Sequence, residues 1–364
     1  MRNATYLFLI ACILLNCKSN PENSAEASGQ VAHLSKNSIK KIDMHSHFRY
    51  DRNYLPSFFN EWNMQSLLVD VAIEDSVGVR RSWDEYKVLA KNHPDLFWLC
   101  SSLVGVGIDD PDFADREIAR LKKEIDEGAK MVKVWKNFGM VTKDASGSFI
   151  QLDDKRLQPI WDFLTASGIP VMAHIGEPVQ AWRPLDDPKN PHFQYYTEHP
   201  QYHAYKHPEI PTYETIIAAR DNWIENNPEL QILCAHMGSM SHDVDMIAQH
   251  LDKFPNMSVE PAARFGDLVS QDSKKVKAFF EKYQDRILFG TDFANDQDAT
   301  SLTGDELKEE RMELDSEYSK RWAYLSSTDS VEIRNQKNRG LGLSENVLEK
   351  IYYENGARFL KLGE

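Results

Sequence analysis

The sequence predicts an α/β fold in which eight parallel strands close into a (β/α)8 barrel, with long loops after the fifth and eighth strands. From Lys40 onward, short apolar runs alternate with amphipathic stretches, which is the signature of βα units on a parallel sheet. Eight apolar runs are the number that such a barrel needs. The predicted strands are residues 41–44, 67–72, 96–104, 130–135, 170–173, 231–235, 257–260 and 287–290.

The stretches between these strands fit the helices of the same barrel. In residues 112–127, Phe113 and Leu121 lie near one helical face, and a side rich in Lys and Glu lies opposite. Gly128 then stands where a helix C-terminus favours glycine. A strongly amphipathic helix at 345–362 is expected to close the barrel.

Two connections are much longer than the usual length of about two to six residues. They are residues 175–211, after the fifth strand, and residues 293–343, after the eighth. Loops that follow the strands of a barrel lie on its catalytic face and commonly carry substrate recognition. Both loops are therefore expected to surround a site at the barrel mouth.

The first 39 residues are expected to lie outside the barrel domain. After Arg2, residues 6–15 form an apolar stretch that is too short to span a bilayer and has the length of a signal-peptide core. It ends at Cys17 in a context that resembles a bacterial lipobox. We predict a lipoprotein-type signal peptide at 1–17, a flexible polar tether at 18–39 and one catalytic domain at 40–364. The protein would then be an exported cell-envelope lipoprotein, periplasmic or on the outer-membrane face, with secretion after ordinary cleavage as the alternative.

Charge and cysteine content exclude several classes of partner and of stabilisation. The formal net charge of −14 offers no basic face for nucleic acid and disfavours adhesion of the folded body to an anionic membrane. Contact with a membrane is expected only through the N-terminal lipid anchor. Cys100 and Cys234 lie inside apolar runs and are expected to be small buried hydrophobes rather than a disulfide.

Several apolar runs end in residue types that bind metals. His45 and His47 are two apart on a strand, so both imidazoles point to one face and can share an ion. His174 and His236 each end another apolar run, where a core histidine bonded to a backbone carbonyl is the alternative. Asp292 ends a further run, and a buried carboxylate there needs a strong partner such as a cation. Asp292 could also take a proton from water.

Lys133, near the end of the fourth strand, has three interpretations. Its ammonium could hold a substrate carboxylate, or its amine could be carbamylated and bridge two metal ions. The third interpretation is a lysine that extends along the strand end to reach solvent. Lys136 is a rival for the same roles.

The loop after His174 is predicted to be a lid over the barrel mouth. Its histidines share no consistent helical or strand face, which argues against a second metal site. Trp182 and Arg183 are candidate substrate contacts on this lid. Arg264, after the seventh strand, could fork onto a substrate carboxylate, or it could pair with Glu260 or a neighbouring helix. The lid histidines are His192, His199, His203 and His207.

The order of these residues resembles a known group of enzymes. His-x-His, Lys, His, His and Thr-Asp on strands one, four, five, six and eight are similar to the pattern of the amidohydrolase superfamily of metal-dependent TIM barrels. The segments 235–238, 290–292 and 351–358 resemble the amidohydrolase-related (family 2) branch. That branch includes aminocarboxymuconate semialdehyde decarboxylase, resorcylate-type decarboxylases and lactone hydrolases. The resemblance covers about residues 40–362.

The resemblance implies a role for each of these residues. His45, His47 and His174 would ligate one divalent metal ion, Asp292 would complete the site, and His236 would act beside it as an acid or base. In two-metal members of the superfamily, the equivalents of His236 and a carbamylated lysine hold a second ion. The branch usually holds one, so we expect one zinc ion, with manganese or iron as alternatives.

Two reactions fit this set of ligands equally. The first is metal-dependent hydrolysis of an ester, lactone or amide bond through activated water. The second is non-oxidative decarboxylation of an aromatic or unsaturated carboxylic acid. A third option, a lipid-anchored binding protein that has lost activity, would be favoured by a missing ligand, and none is missing. The expected partner is a small-molecule substrate, and a homo-oligomer is one option for assembly.

Overall fold

The computed structural model describes residues 34–363, apart from Ser76 and Asp296. The predicted signal peptide, Cys17 and most of the tether lie outside the described residues. Among the helices that the structure describes, none is long and apolar enough to cross a membrane.

Eight parallel strands form one curled sheet, which confirms the predicted fold class. We number these barrel strands β1 to β8 along the chain. Their hydrogen-bonded order is β8-β1-β2-β3-β4-β5-β6-β7, so strands adjacent in sequence are adjacent in the sheet. The strands are β1 Lys41–Phe48, β2 Met64–Val69, β3 Phe97–Ser102, β4 Ala129–Val134, β5 Val171–Ala173, β6 Ile232–Cys234, β7 Met257–Val259 and β8 Phe293–Asn295.

The eighth strand does not lie where the sequence placed it. Residues 287–290 make one parallel bridge to β7, and the strand proper begins at Phe293. The backbone N–H of Leu288 donates to Val259 and that of Met44 to Phe289, each at 2.9 Å, so this segment joins β7 to β1 and closes the barrel. Asp292 has φ 61°, in the left-handed region, and interrupts the extended backbone.

Helices cover the outside of the sheet. The predicted helix after β3 is confirmed at Phe113–Asp126, with Gly128 just beyond it at φ 115°. The prediction of a charged side opposite the apolar face is wrong in part, because Glu117 and Glu124 are buried and pair with arginines. Further α-helices are Leu55–Trp62, Trp83–Asn92, Gln158–Ala166, Phe193–Glu198, Tyr213–Asn226, Val244–Lys253, Phe265–Val269, Ser273–Lys282, Gly304–Ser326, Glu345–Glu349 and Asn355–Phe359, with a π-helical turn at Lys350–Glu354 joining the last two; Asn137–Met140 and Ala235–Gly238 form short helical turns.

The terminal helical segment packs beneath the barrel. The side-chain amide of Asn355 donates to the carbonyls of Gln284 at 2.7 Å and Ile287 at 2.8 Å. Gly356 lies so near Met44 that a Cβ there would be 3.1 Å from its sulfur. The expected closure of the barrel by this segment is therefore confirmed.

The two long connections contain structure that the sequence analysis did not assign. The first carries short 3-10 turns at Val179–Trp182, Pro200–Tyr202 and Ala204–Lys206 around one helix. The second carries a 3-10 turn at Ala299–Ser301, the 23-residue helix Gly304–Ser326 and an antiparallel hairpin of Ser330–Ile333 with Gln336–Arg339. A second small hairpin, Ile73–Asp75 with Gly78–Arg80, follows β2.

The barrel interior is apolar up to its rim. Inward side chains from successive strands form one buried cluster that includes Met44, Cys100, Met131 and Met172. Both Cys100 and Cys234 are buried and free, as predicted. Polar ligand types therefore occur at the C-terminal rim of the sheet, where the metal-ligand pattern predicts them.

Candidate metal centre

Strand alternation places the two histidines of β1 on the same face. His45 and His47 are both buried, with ring centroids 5.3 Å apart. Their side chains point to the mouth because β1 runs on past the closing bridge to Phe48. The His-x-His spacing at the end of β1 therefore places the two imidazoles side by side.

An unusual backbone turn places His236. From His236 to Ser239, four consecutive residues have φ between 57° and 63°. Only Gly238 among them adopts this left-handed region without a steric cost. The turn follows β6 directly and aims the His236 ring at His174, with centroids 4.1 Å apart. Such strain, at about 1–3 kcal/mol for each residue, persists where the surrounding structure enforces it.

The predicted ligands converge at the barrel mouth. The Nε2 atoms of His47 and His45 lie 3.1 Å and 3.4 Å from Oδ1 of Asp292. Nε2 of His236 lies 3.2 Å from Nδ1 of His174. One donor atom from each of His45, His236 and Asp292 lies within 4.8 Å of the other two. The structure thus brings all five residues together and includes His236 in the tightest set.

Hydrogen bonds define the tautomers of two histidines. Nδ1 of His236 lies 2.7 Å from the Ala262 carbonyl, which can only accept, so His236 carries its proton on Nδ1. Its Nε2 lone pair can then accept from Nδ1 of His174, which leaves the His174 Nε2 lone pair without a partner among the described residues. A buried, unpaired imidazole lone pair is the form that a metal ion requires.

The pKa values agree with neutral imidazoles. Burial, followed by the charge of Lys133, lowers the pKa of His45 and of His174. Burial, followed by His174, lowers the pKa of His236 well below its ordinary value. For Asp292, burial acts to raise the pKa, but the surrounding imidazoles outweigh it and hold the pKa well below the usual range. Three neutral imidazoles beside an ionised carboxylate fit a divalent cation.

Glu260 is a site residue that the sequence analysis named only as a partner for Arg264. It is fully buried after β7, and its Oε1 lies 2.8 Å from Nδ1 of His45. The same carboxylate accepts from the backbone N–H groups of His236, at 3.1 Å, and Ala262. Glu260 therefore keeps the proton of His45 on Nδ1 and turns its Nε2 lone pair towards the mouth.

Asp43 supports the opposite side of the centre. Its carboxylate accepts from the backbone N–H of His45 at 3.0 Å and from the hydroxyl of Thr291 at 2.5 Å. The phenol of Tyr318, from the long helix after β8, donates to the same carboxylate. This network couples β1 to the Thr-Asp292 turn, and the sequence analysis did not identify it.

Lys133 is fully buried, so its interpretation as a lysine reaching solvent is wrong. Its Nζ lies 3.1 Å from Nε2 of His45 and 3.3 Å from the sulfur of Met172. Burial is the main cause that lowers the pKa of Lys133, to about 8. A lysine with this pKa is neutral often enough to be carbamylated, so both other interpretations of Lys133 stay predictions.

Around the mouth, a second polar group surrounds Glu177. Lys136 is buried, pairs with the Glu177 carboxylate and donates to the hydroxyl of Tyr195 at 2.7 Å. Nη2 of Arg264 lies 3.7 Å from Oε2 of Glu177, so Arg264 faces Glu177 rather than Glu260. The hydroxyl of Tyr196 donates to Glu177 at 3.2 Å. Lys136 thus occupies a different position from Lys133, and a role for Lys136 in binding a substrate carboxylate stays a prediction.

The lid histidines make separate contacts. Nε2 of His192 lies 2.8 Å from Asp267, Nε2 of His203 lies 2.9 Å from the Arg183 carbonyl, and Nε2 of His207 lies 3.2 Å from the Pro200 carbonyl. The described part of the chain therefore gives no support to a metal site among them. They tie the lid to itself and to the segment after β7.

Trp182 and Arg183 lie on the lid. The Trp182 indole N–H donates to the Pro211 carbonyl at 3.0 Å, and the ring packs edge-on against Tyr213. Arg183 is exposed. Contact between either residue and a substrate stays a prediction.

The fold and site define a class: barrel enzymes that hold a metal ion at the C-terminal rim of a parallel sheet. The chain belongs to the amidohydrolase family, because the family model described as "Amidohydrolase" matches residues 42–362. It is therefore a metal-dependent enzyme of that family, as the resemblance implied. A comparison with curated proteins found no match.

Solved structures confirm the fold at low sequence identity. A 2,6-dihydroxybenzoate decarboxylase from Rhizobium is 16% identical, with 90% of this chain and 100% of that chain covered and a TM-score of 0.55. A dihydroxybenzoic acid decarboxylase from Polaromonas, with bound manganese and 2-nitroresorcinol, is 16% identical over 90% of this chain and 98% of that chain, with a TM-score of 0.52. A TIM-barrel protein from Bordetella bronchiseptica is 17% identical over 89% and 99%, with a TM-score of 0.50.

Proposed function

We propose that the protein is a hydrolase that uses one divalent metal ion to cleave an ester, lactone or amide bond with water. The observation that carries the proposal is the position of Asp292. Its side chain is 29% exposed, whereas those of His45 and His47 are 1% and 10% exposed. Asp292 is therefore both a member of the donor cluster and open to the mouth, where water and substrate arrive.

The residues of the chain have distinct roles in this proposal. His45, His47, His174 and Asp292 would hold the ion. A divalent ion there supplies Lewis acidity, which polarises a carbonyl oxygen and makes water more acidic. Asp292 accepts the proton of the attacking water, since its carboxylate is ionised and accessible.

His236 acts first as a proton acceptor in this proposal. Its Nδ1 proton is bonded to Ala262, so Nε2, which lies 3.2 Å from Nδ1 of His174, is the one nitrogen of His236 that can take a proton. His236 can therefore take a proton, and it can donate one to a leaving group only after that step. Glu260 keeps the neighbouring His45 in its ligand tautomer throughout.

The test uses protein stripped of metal and then reloaded with zinc, manganese or iron. Hydrolysis of a panel of aryl esters, lactones and amides is expected only after reloading. Asp292→Asn should lower kcat by about 100-fold or more, because it removes the proton acceptor. Asp305→Asn, which removes a carboxylate that is 88% exposed on a distant helix, is the matched control. Full activity in metal-free protein, or in Asp292→Asn, would contradict the proposal.

Decarboxylation is the second candidate function. It is favoured by the cations Lys136 and Arg264 at the mouth, which suit an acid substrate. The two dihydroxybenzoate decarboxylases of similar fold act on such acids, although that likeness concerns the fold. Carbon dioxide release from aromatic and unsaturated acids, with no hydrolysis of the ester panel, would establish this reaction in place of hydrolysis.

We also propose that the protein is exported and anchored through a lipid on Cys17. The support is the short apolar stretch that ends at this cysteine. In a bacterial host, the full chain should incorporate labelled palmitate, and Cys17→Ser should not. Equal labelling of both chains would refute the anchor.

A further inference from the structure

The hairpin after the long helix ends in a two-residue turn that carries an arginine. Arg334 and Asn335 have φ of 50° and 62°, so both adopt the left-handed conformation of a tight hairpin turn. Ile333 and Gln336 pair on either side of them. The turn therefore fixes both the position and the direction of the Cα–Cβ bond of Arg334.

Contacts on both strands hold this turn at the barrel mouth. The side-chain amide of Gln336 donates to the Lys189 carbonyl of the lid. The side-chain amide of Asn338 donates to the carbonyls of Val269 and Gln271, at 2.9 Å and 2.8 Å, in the segment after β7. The hairpin is thus bonded both to the lid and to the segment after β7.

Gly266 shows where the Arg334 side chain lies. A Cβ at Gly266 would stand 3.2 Å from Cβ of Arg334 and 3.6 Å from its Cδ. The arginine stem therefore lies over the backbone two residues beyond Arg264. The missing side chain at residue 266 is what allows this close approach.

Neither of these two arginines has all of its N–H groups paired within the residues that the structure describes. Among the described residues, Arg334 has no hydrogen-bond or ion-pair partner, and it is exposed. Arg264 is buried, and its Nε has no partner in the described part of the chain. Its carboxylate neighbour, Glu177, already pairs with Lys136 at closer range than the 3.7 Å contact to Arg264.

The charge of Asp292 acts on both arginines, so both lie within electrostatic range of the metal centre. Guanidinium groups with unpaired N–H donors favour a planar oxyanion.

We propose that Arg264 and Arg334 together bind a carboxylate of the substrate, away from the bond that reacts. The substrate class is then an ester, lactone or amide that carries a free carboxylate. This inference rests on the proposed function for the reaction, but the binding of the anion can be tested apart from it.

The experiment measures binding of isophthalate and of its neutral analogue isophthalamide to the zinc-loaded full chain by calorimetry. Isophthalate should bind Arg334→Gln roughly 10- to 100-fold more weakly than the unaltered protein, as expected for one charge-assisted contact. Lys337→Gln is the matched control, because it removes an exposed cation from the same hairpin. It should bind isophthalate normally. Isophthalamide should bind all three proteins alike.

Arg264→Gln is a second variant. Because Arg264 is buried, this variant could unfold, and the test then depends on Arg334→Gln alone. Equal isophthalate affinity in Arg334→Gln and the unaltered protein would overturn the inference. Equal losses in Arg334→Gln and Lys337→Gln would overturn it too, since only general charge would then matter. If affinity changes as expected but no ester is cleaved by the same samples, the anion site stands and the proposed hydrolysis fails.

Discussion

Replacement of Glu260 by glutamine is the most specific single change that tests the metal centre. In Glu260→Gln, one carboxylate oxygen becomes an NH2 group with no change in size. The carboxylate accepts from His45 and from the backbone of His236 on one oxygen, and from the backbone of Ala262 on the other. Whichever way the amide turns, its NH2 faces an N–H group, and at least one buried donor loses its acceptor.

The size of the effect follows from these contacts. One unsatisfied buried donor costs about 1–3 kcal/mol of unfolding free energy. If the amide instead frees His45 to move its proton to Nε2, the ligand lone pair is lost, and metal affinity should fall by about 10- to 100-fold. The two effects have one cause, so both should appear in the same variant.

Zinc affinity is measured by competition with a chromophoric chelator, and stability by urea unfolding of metal-free protein. Glu117→Gln is the control, because Glu117 is also buried and accepts from the backbone of Val104 at 2.9 Å, far along the chain from the ligands. It should lose stability and keep its zinc affinity. Unchanged zinc affinity in Glu260→Gln would refute the role given to Glu260.

Three further outcomes are expected. Gly290→Ala should lose about 1–3 kcal/mol of stability in thermal unfolding, because a Cβ there would lie 2.8 Å from Glu260 and 3.1 Å from the His45 Cβ, whereas Gly304→Ala meets nothing within 4 Å and should not. Burial acts to raise the pKa of Asp267, but His192, Arg264 and Ser241 together outweigh it and the net pKa is lowered. The stabilisation from Asp267 is therefore present above its ordinary pKa of 3.8 and is lost as pH falls through the lower folded pKa. Asp267→Asn should therefore flatten the acid side of a plot of melting temperature against pH; an unchanged slope would contradict this. Zinc at about 100 times its Kd should raise the unfolding free energy of stripped protein by about 2.7 kcal/mol, and no shift in melting temperature would argue against a site formed by the native fold.

Much of the fold and site could be predicted because strand ends are a local signal. His45, His47, His174 and Asp292 each follow or end an apolar run, and a parallel barrel brings such ends together. Glu260 ends the seventh run in the same manner, so the same signal could have identified it. The carboxylate was instead considered only as a partner for Arg264.

The remaining features depend on tertiary contacts. The displaced eighth strand follows from hydrogen bonds to β7 and β1, and from a left-handed Asp292, which no local pattern shows. The left-handed turn at His236 is likewise enforced by its surroundings. The hairpin at the mouth had a weak signal, alternating Val331 and Ile333 before Asn335, but a long polar connection obscured it.

A zinc titration of stripped protein, followed by calorimetry, tests the central claim most directly. The unaltered chain should bind close to one equivalent, and hydrolysis should return in proportion to the ion bound. His45→Ala and Asp292→Ala should each lose tight binding and activity together. Tight, stoichiometric binding that survives both substitutions, or activity that needs no ion, would contradict the account.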